Sequence, residues 1–283
     1  MILFKKTNDL RNYLEIQRKE GRRIGFVPTM GALHAGHISL LAASKKDNDI
    51  TACSIFVNPT QFNDPKDFEK YPITFEKDIY NLELSGCDAL FLPSVKEIYP
   101  EGDELKMKYD LGYLETILEG KFRPGHFQGV CMVVERLLRI VQPYQLYLGQ
   151  KDYQQCLVIK KLIEFIKLNT TIRLIVCPTL REPDGLALSS RNIRLNNEER
   201  KKAIGIYKSL NFIKKNLTKG NLENLKQQAA SILTANGFGT DYVEIADANT
   251  LELLKDWDGE RKIVALIAAF MNEVRLIDNL LLN

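Results

Sequence analysis

Long apolar runs are missing from this chain of 283 residues. The longest, IVALIAAFM near the C-terminus, falls far short of the roughly 20 residues that a membrane-spanning helix needs. The N-terminal sequence MILFKKTNDLRNYLE also lacks an apolar stretch of the length that a signal peptide contains. We therefore expect a cytoplasmic protein with no membrane partner.

An excess of one charge is missing as well. The 39 lysines and arginines nearly balance the 36 aspartates and glutamates, which leaves a net charge of +3. Such a small excess does not indicate a nucleic-acid surface, so we expect no nucleic-acid partner. Hydrophobic residues make up 45% of the chain, which is typical of a globular protein with a sizeable core.

Cysteine pairs at the spacing of a zinc site or a redox motif are also absent from the sequence. The five cysteines are odd in number and far apart: Cys53, Cys87, Cys131, Cys156 and Cys177. Most of them lie inside apolar segments. We interpret them as reduced residues of the core.

Strand-like and helix-like segments alternate over the first two-thirds of the chain. Apolar runs predict strands at 23–29, 50–58, 87–93 and 171–178, and another that starts at residue 145. Helical patterns lie between them, the clearest over 129–142, where apolar residues recur every three or four positions. This alternation predicts an α/β fold in which helices cover both faces of a parallel sheet.

The pattern changes after Pro178. Two charged helical stretches, about 196–216 and 221–235, are followed by three strand-like runs, DYVEIAD, RKIVALIAAFM and EVRLIDNLLL. This order predicts a smaller α+β domain. We therefore expect two domains, 1–178 and 179–283.

Histidine is scarce, and two of the three histidines lie in the stretch PTMGALHAGH. A strand that ends near this point and a helix that begins near Ala32 would offer free backbone N–H groups to an anion. His34 and His37 would share one helix face and could donate hydrogen bonds to phosphate oxygens. The alternatives are an ordinary polar pair or, less favoured because no further ligand lies nearby, a metal site.

Polar residues also follow two other predicted strands. SIFVNPTQF places Asn58 and Gln61 at a strand's carboxyl end, where open parallel sheets bind ligands; the alternative is an ordinary Asn-Pro turn. LYLGQKDYQQ supplies Lys151 as a charge for phosphate. Asp152 in the same motif can cap the next helix or bind a ribose hydroxyl.

Two glycine-containing segments complete the set of candidate loops. DGLALSSRN brings together Ser189, Ser190 and Arg191 on a flexible segment that could close over a triphosphate. The alternative is a serine-rich turn followed by a solvated arginine. GKFRPGHFQGV carries the third histidine, His126.

These five motifs, in their order along the chain, resemble the pantoate–β-alanine ligase (pantothenate synthetase) family over most of the chain. HAGH is similar to the His-x-Gly-His signature of the nucleotidylyltransferase superfamily, and SSR to its second, mobile signature. The resemblance implies a Rossmann-like N-terminal domain, a small C-terminal lid, a homodimer and a requirement for Mg²⁺. It also implies two half-reactions. Pantoate and ATP give pantoyl adenylate and pyrophosphate, and β-alanine then displaces AMP to give pantothenate.

The resemblance also implies roles for individual residues, with His37, His34 and Lys151 catalytic and His37 the proton donor. It implies ATP contacts at Met30, Gly31, Ala32, Leu33, His34, Ala35, Gly36, His37, Gly149, Gln150, Lys151, Asp152, Leu180, Leu188, Ser189, Ser190 and Arg191. It implies pantoate contacts at Gln61, Gln155, Asn58, Val133 and Val134, and β-alanine contact at Gln61. The two valines are also expected as core residues of their helix.

Four positions depart from the family pattern. Gln150 stands where glutamate is common, Ile73 where arginine is, Met132 where threonine is, and Lys66 where an acid is. The metal ligands therefore stay unassigned. Two rival functions remain: a nucleotidylyltransferase whose product keeps the nucleotide, and an RNA-binding module descended from the synthetase fold.

Overall fold

The computed structural model describes residues 1–104 and 107–283. By their contacts the described residues form two compact units. The first contains residues 1–149 and 158–178, and the second contains residues 150–157 and 179–283. The contacts thus group the segment 150–157 with the C-terminal residues, while the expected domain boundary at 178 and 179 stays a prediction.

A six-stranded sheet in which every pairing is parallel forms the centre of the first unit. Its strands are β1 (Ile2–Phe4), β2 (Ile24–Thr29), β3 (Ile50–Ile55), β4 (Ala89–Phe91), β5 (Gln145–Gly149) and β6 (Arg173–Cys177). They lie in the order β1-β4-β3-β2-β5-β6. Every residue of β3 is buried, as expected for a strand that is covered on both faces. The predicted α/β fold is confirmed.

Helices connect these strands, as crossovers between parallel strands require. They are α1 (Thr7–Lys19), α2 (Ala35–Asp47), α3 (Pro65–Glu69), α4 (Phe75–Leu84), α5 (Val95–Ile98), α6 (Leu118–Phe122), α7 (His126–Val141) and α8 (Tyr153–Phe165). Helix α7 begins three residues before the predicted start at 129, and its residues 126–134 are all buried. It is therefore a central core element.

A three-stranded antiparallel sheet in the order β11-β10-β8 dominates the second unit. The strands of this unit are β7 (Gly220–Asn221), β8 (Gly239–Asp247), β9 (Asp256–Trp257), β10 (Ile263–Met271) and β11 (Val274–Leu281). Its helices are α9 (Asn197–Ala203), α10 (Gly205–Lys215) and α11 (Glu223–Ala235). The stretch predicted as one helix over 196–216 is therefore two helices that meet at Ile204. The predicted α+β architecture is confirmed.

Two expectations from composition can be compared with the structure. All five cysteines are buried, and none of them forms a disulfide. In residues 1–104 and 107–283, no helix combines the length and the apolarity that crossing a membrane requires.

Candidate active site

The loop that joins β2 to α2 turns sharply through two residues in the left-handed backbone region. Gly31 has a φ of +82° and Ala32 a φ of +49°. A Cβ atom at Gly31 would lie 3.1 Å from both Asp78 Oδ2 and Ile55 Cγ2. Glycine thus relieves a strained backbone and a close approach at the same position.

Asp78, on α4, holds this loop from inside the core. Its carboxylate accepts hydrogen bonds from the backbone N–H of Ala32 at 2.9 Å and of Leu33 at 2.8 Å. The side chain is fully buried, with a relative exposure of 0%. This residue was not among those predicted from the sequence. The available signal was an acidic residue four positions before Leu82, on the buried face of a helix.

Replacement of Asp78 by asparagine should lower the free energy of unfolding by about 1–2 kcal/mol, because one buried N–H of the loop loses its acceptor. Denaturant unfolding measures the change. Glu76→Gln is the matched control, since it neutralises an exposed carboxylate on the same helix. Equal stability of Asp78→Asn and Glu76→Gln would contradict the role assigned to Asp78.

His34 and His37 form a reciprocal cap at the start of α2. His34 Nδ1 accepts a hydrogen bond from the N–H of Gly36 at 3.1 Å, and His37 Nδ1 accepts one from the N–H of His34 at 3.3 Å. Histidines thus fill both positions of a capping box, where Ser or Thr and Glu or Gln are usual. The two ring centroids lie 4.1 Å apart.

This cap corrects two expectations about the loop. The helix begins at Ala35, not near Ala32. The amides expected to be free for an anion are largely engaged within the protein, by Asp78, by the two histidines and by Thr29 Oγ1, which accepts from Gly31 N–H. An anion at this helix start would therefore depend on side-chain donors more than on bare amides.

The cap also fixes which ring nitrogen carries the proton in each neutral histidine. An Nδ1 atom that accepts from an N–H group cannot itself bear a hydrogen. The neutral rings of His34 and His37 therefore carry their hydrogen on Nε2. Each ring is oriented by a backbone contact on one side and has an N–H donor on the other, a suitable arrangement for hydrogen bonds to phosphate oxygens.

Asn58 is the buried centre of the turn after β3. Its Oδ1 accepts from Tyr99 Oη at 2.8 Å and from Thr60 Oγ1 at 3.1 Å, and its Nδ2 donates to Gln61 Oε1 and to Gly129 O, each at 3.2 Å. Burial raises the pKa of Tyr99 to about 12, so its hydroxyl stays protonated and donates. Asn58 has a relative exposure of 1%. Its main role is therefore to orient the neighbouring side chains, and it offers little surface to a ligand.

Gln61 is held by both its side chain and its backbone. Its Oε1 accepts from Asn58, and its Nε2 lies 2.9 Å from Met30 Sδ, so the turn after β3 contacts the loop after β2. The backbone carbonyl of Gln61 lies 2.7 Å from His126 Nδ1. Arg123 Nη1 lies 3.1 Å from the other nitrogen of that ring. Because arginine only donates, His126 Nε2 accepts and its Nδ1–H donates to Gln61.

Helix α7 packs against the same turn at Gly129. A Cβ atom there would overlap the backbone carbonyl of Thr60 and lie 2.8 Å from the Cα of Gln61. Val133 lies one helical turn further along and shares the face of Gly129. Val133 and Val134 are both buried, which agrees with their expected core role.

The second unit carries the motif QKDYQQ on a turn that β11 holds in place. Gln150–Asp152 form a short 3₁₀ helix before α8. Asn279 donates from Nδ2 to the carbonyls of Gln150 at 2.9 Å and Lys151 at 2.8 Å, and its Oδ1 accepts from Gln150 Nε2 at 3.1 Å. Lys151 Nζ lies 3.6 Å from Asp152 Oδ1, and Gln155 is half-buried on α8.

The segment that leads to the two serines is a hairpin followed by a 3₁₀ helix, while its expected flexibility stays a prediction. The N–H of Leu188 donates to Leu180 O at 3.0 Å, and Arg181 pairs with Ala187. Ser189 then caps the 3₁₀ helix Ser190–Arg194, its Oγ accepting from the N–H of Arg191 at 3.3 Å.

Within each unit the structure brings some of the candidate residues into contact and adds others that the sequence did not reveal. In the first unit, Met30 and Gln61 are in contact, and the loop of Met30 carries His34 and His37. The missed residues are Asp78, Tyr99, Arg123 and Gly129 in the first unit and Arg181, Asp278 and Asn279 in the second. Within the described parts of the chain, no three His, Cys, Asp or Glu side chains cluster as a metal site would require.

Comparison with known sequences gives matches along nearly the whole chain. Residues 2–281 match the model of the pantoate-beta-alanine ligase family. The pantothenate synthetase of Cytophaga hutchinsonii is 45% identical over 285 residues, which cover 100% of this chain and 99% of that protein. The pantothenate synthetase of Aquifex aeolicus is 44% identical over 282 residues, 98% of each chain.

Solved structures with the same fold give a consistent result. The crystal structure of pantothenate synthetase from Thermus thermophilus is similar to this chain with a TM-score of 0.90 and 38% identity, over 99% of each chain. The pantoate-beta-alanine ligase from Francisella tularensis, complexed with beta-gamma ATP and beta-alanine, has a TM-score of 0.82 and 40% identity. The match covers 99% of this chain and 97% of the Francisella tularensis chain.

Proposed function

This chain belongs to the pantoate–β-alanine ligase family, and from that premise we propose that the loops after β2 and β3 form its reaction centre. The protein is an ATP-dependent pantoate–β-alanine ligase. The reaction proceeds in two steps, with the acid activated as an acyl adenylate before the amide bond forms. AMP and pyrophosphate are the other products.

The reciprocal cap of His34 and His37 is the observation that best supports this assignment. Both neutral rings carry their hydrogen on Nε2, because both Nδ1 atoms accept from backbone N–H groups. Two oriented donors at the start of one helix suit the phosphates of ATP, where negative charge grows as the leaving group departs. We assign His34 and His37 to the phosphates, where each donates a hydrogen bond from Nε2–H, and His37 stands at the position that the family resemblance implies for the proton donor.

The first step transfers AMP to pantoate. A carboxylate oxygen of pantoate attacks the α-phosphorus of ATP, and the bond to the bridging oxygen of pyrophosphate breaks. The protein contributes alignment and charge stabilisation to this step, and little covalent chemistry. Met30–His37, together with Gly149–Asp152, Leu180 and Leu188–Arg191, are assigned to ATP, with Lys151 and the two serines at its phosphates.

The second step forms the amide bond. The amine of β-alanine attacks the acyl carbon of the adenylate, AMP leaves with the electron pair of the broken C–O bond, and the nitrogen loses a proton. Gln61 is assigned to both pantoate and β-alanine, with Asn58, Gln155, Val133 and Val134 at pantoate. Asn58 acts on the substrate largely by fixing the carboxamide of Gln61.

Magnesium and a homodimer are further proposals that rest on family resemblance, and a cytoplasmic location is a further proposal that rests on the sequence. Mg²⁺ usually retains several waters and binds through substrate phosphates and one or two carboxylates. The lack of a three-residue cluster among the described residues is compatible with that mode. The ion would enter with ATP and neutralise phosphate charge. Light scattering of the purified protein measures the oligomeric state.

Products distinguish the ligase from its rivals. Incubation with ATP, D-pantoate and β-alanine should release AMP and pyrophosphate and give pantothenate, and mass spectrometry should detect pantoyl adenylate when β-alanine is omitted. A stable nucleotide conjugate without AMP would favour a nucleotidylyltransferase. Tight, salt-sensitive RNA binding without ATP turnover would favour an RNA-binding module.

Gln61→Ala should weaken pantoate binding by at least about tenfold, because a carboxamide that donates to the substrate is lost. The fold should persist, since Asn58 Nδ2 keeps its second bond to Gly129 O. Titration calorimetry with pantoate and a non-hydrolysable ATP analogue measures the affinity. Gln228→Ala, at an exposed glutamine of α11, is the control, and equal pantoate affinity of the two variants would exclude the assignment.

A further inference from the structure

A set of three side chains in the second unit, two of them buried and one partly buried, joins the two segments assigned to ATP there. We call Arg181, Asp278 and Asn279 the β11 brace. Asp278 and Asn279 are consecutive on β11, and their relative exposures are 4% and 1%. Arg181 lies at the start of the hairpin that leads to Ser189. None of the three has a role in the reaction proposed above.

Asn279 holds the turn Gln150–Asp152 through three hydrogen bonds. Its Nδ2 donates to two consecutive carbonyls, of Gln150 at 2.9 Å and of Lys151 at 2.8 Å. Its Oδ1 accepts from Gln150 Nε2 at 3.1 Å. One carboxamide thus restrains the backbone that carries Lys151, and both of its donor hydrogens are used.

Arg181 and Asp278 hold the hairpin to the same strand. The guanidinium binds the carboxylate in a bidentate manner, with Nη1–Oδ2 at 2.6 Å and Nη2–Oδ1 at 3.0 Å. It also donates to the carbonyls of Gly185 and Asn279, each at 3.1 Å. The ring of Tyr207 lies 4.6 Å from the guanidinium carbon. The geometry is that of an oriented pair with few remaining degrees of freedom.

The brace closes on itself through the backbone of β11. The N–H of Asn279 donates to Asp278 Oδ1 at 2.8 Å, and the carbonyl of Asn279 accepts from Arg181. Burial raises the pKa of Asp278, and Arg181 opposes that effect. The bidentate ion pair therefore offsets part of the cost of burying either group alone.

We propose that the β11 brace positions the two segments assigned to ATP relative to one another. These segments are the turn Gln150–Asp152, which carries Lys151, and the hairpin that leads to Ser189. The proposal rests on the assignment of these two segments to ATP. Lys151 and Ser189 lie on separate segments of the chain. Asn279 donates a hydrogen bond to the carbonyl of Lys151 and accepts one from Arg181, which anchors the hairpin that leads to Ser189. Misplacement of a binding group by about 1 Å can cost two orders of magnitude in rate.

Asn279→Ala tests the proposal, because it releases the turn and leaves the backbone bonds of residue 279 to Asp278 and Arg181 in place. We expect the KM for ATP, and the Kd for a non-hydrolysable ATP analogue, to rise by at least about tenfold. The KM for β-alanine should change by less than about twofold. Asn279→Asp keeps the acceptor for Gln150 and loses both donors to the carbonyls, so it should resemble Asn279→Ala.

Asp241→Asn is the matched control. Asp241, on β8, pairs at 2.7 Å with Arg275 of β11, the strand that also carries Asn279, and the side chain of Asp241 is largely buried. Asp241→Asn neutralises one partner of this ion pair and leaves the contacts of the turn Gln150–Asp152 unchanged. A purely structural role of Asn279 predicts that Asn279→Ala and Asp241→Asn both lose stability and keep the parental KM for ATP, a result that would overturn the proposal. If Asn279→Ala does not fold, Asn279→Ser is measured by the same criteria.

Lys151→Ala separates failure of the brace from failure of the ATP assignment. If Lys151→Ala weakens analogue binding and Asn279→Ala does not, the brace proposal is wrong and the ATP assignment stands. If Lys151→Ala leaves analogue affinity unchanged, the assignment of the turn to ATP fails, and the brace proposal fails with it.

Discussion

His34→Asn and His37→Gln should unfold at nearly the same denaturant concentration as the parent chain and yet release pyrophosphate at least about tenfold more slowly. Asparagine is a good N-cap residue, and glutamine is a usual third residue of a capping box. Each variant can therefore keep the backbone contact that its histidine makes at Nδ1. Each loses the Nε2–H donor on the far side of the ring.

The alanine variants at the same positions separate capping from catalysis. His34→Ala removes the cap acceptor, which should cost about 1 kcal/mol of stability, in addition to the loss of the phosphate donor. If the imidazoles serve only to cap α2, activity will follow stability, and the asparagine and glutamine variants will be fully active.

Single-turnover pyrophosphate release, with ATP and pantoate in excess of enzyme sites and β-alanine omitted, isolates the first step. Binding of a non-hydrolysable ATP analogue to each variant provides the companion measurement. Wild-type release rates in both His34→Asn and His37→Gln would remove the histidines from the chemistry. The reciprocal cap would then be their complete explanation.

The overall fold could be predicted from periodicity, because each main strand is a compact apolar run bounded by turn residues. β1, the edge strand Ile2–Phe4, was not predicted. The break between α9 and α10 was also missed, although Gly205 marks the start of α10. Contacts of the folded chain, not local propensity, decide such short elements.

The site could be predicted only as far as its residues lie within motifs. His34, His37, Gln61 and Lys151 stand in recognisable stretches, and they could be named from the sequence. The residues that orient them are distant in sequence: Asp78 is 46 positions from Ala32, and Asn279 is 128 positions from Lys151. A hydrogen bond of that kind leaves no periodic trace in one sequence.

Gly129→Ala should have a large effect, although Gly129 contacts no substrate in our assignment. The added Cβ would overlap the carbonyl of Thr60 and lie 2.8 Å from the Cα of Gln61. Alanine favours a helix over glycine by about 1 kcal/mol, so local propensity alone predicts a more stable protein. The overlap is with backbone, which cannot rotate away, and we expect the cost to reach about 3 kcal/mol or more. The net change should therefore be destabilising.

Relief of this overlap requires α7 and the turn Pro59–Gln61 to move apart, and that movement would displace the Gln61 carboxamide and weaken the bond from Asn58 to Gly129 O. Pantoate affinity of the folded Gly129→Ala protein should then fall by at least about tenfold. Gly239→Ala is the control, since an added Cβ there would meet only Phe270 Cβ, at 4.0 Å. Denaturant unfolding and pantoate titration together decide the matter. A Gly129→Ala protein as stable as Gly239→Ala, with parental pantoate affinity, would show that the close approach of α7 does not position Gln61.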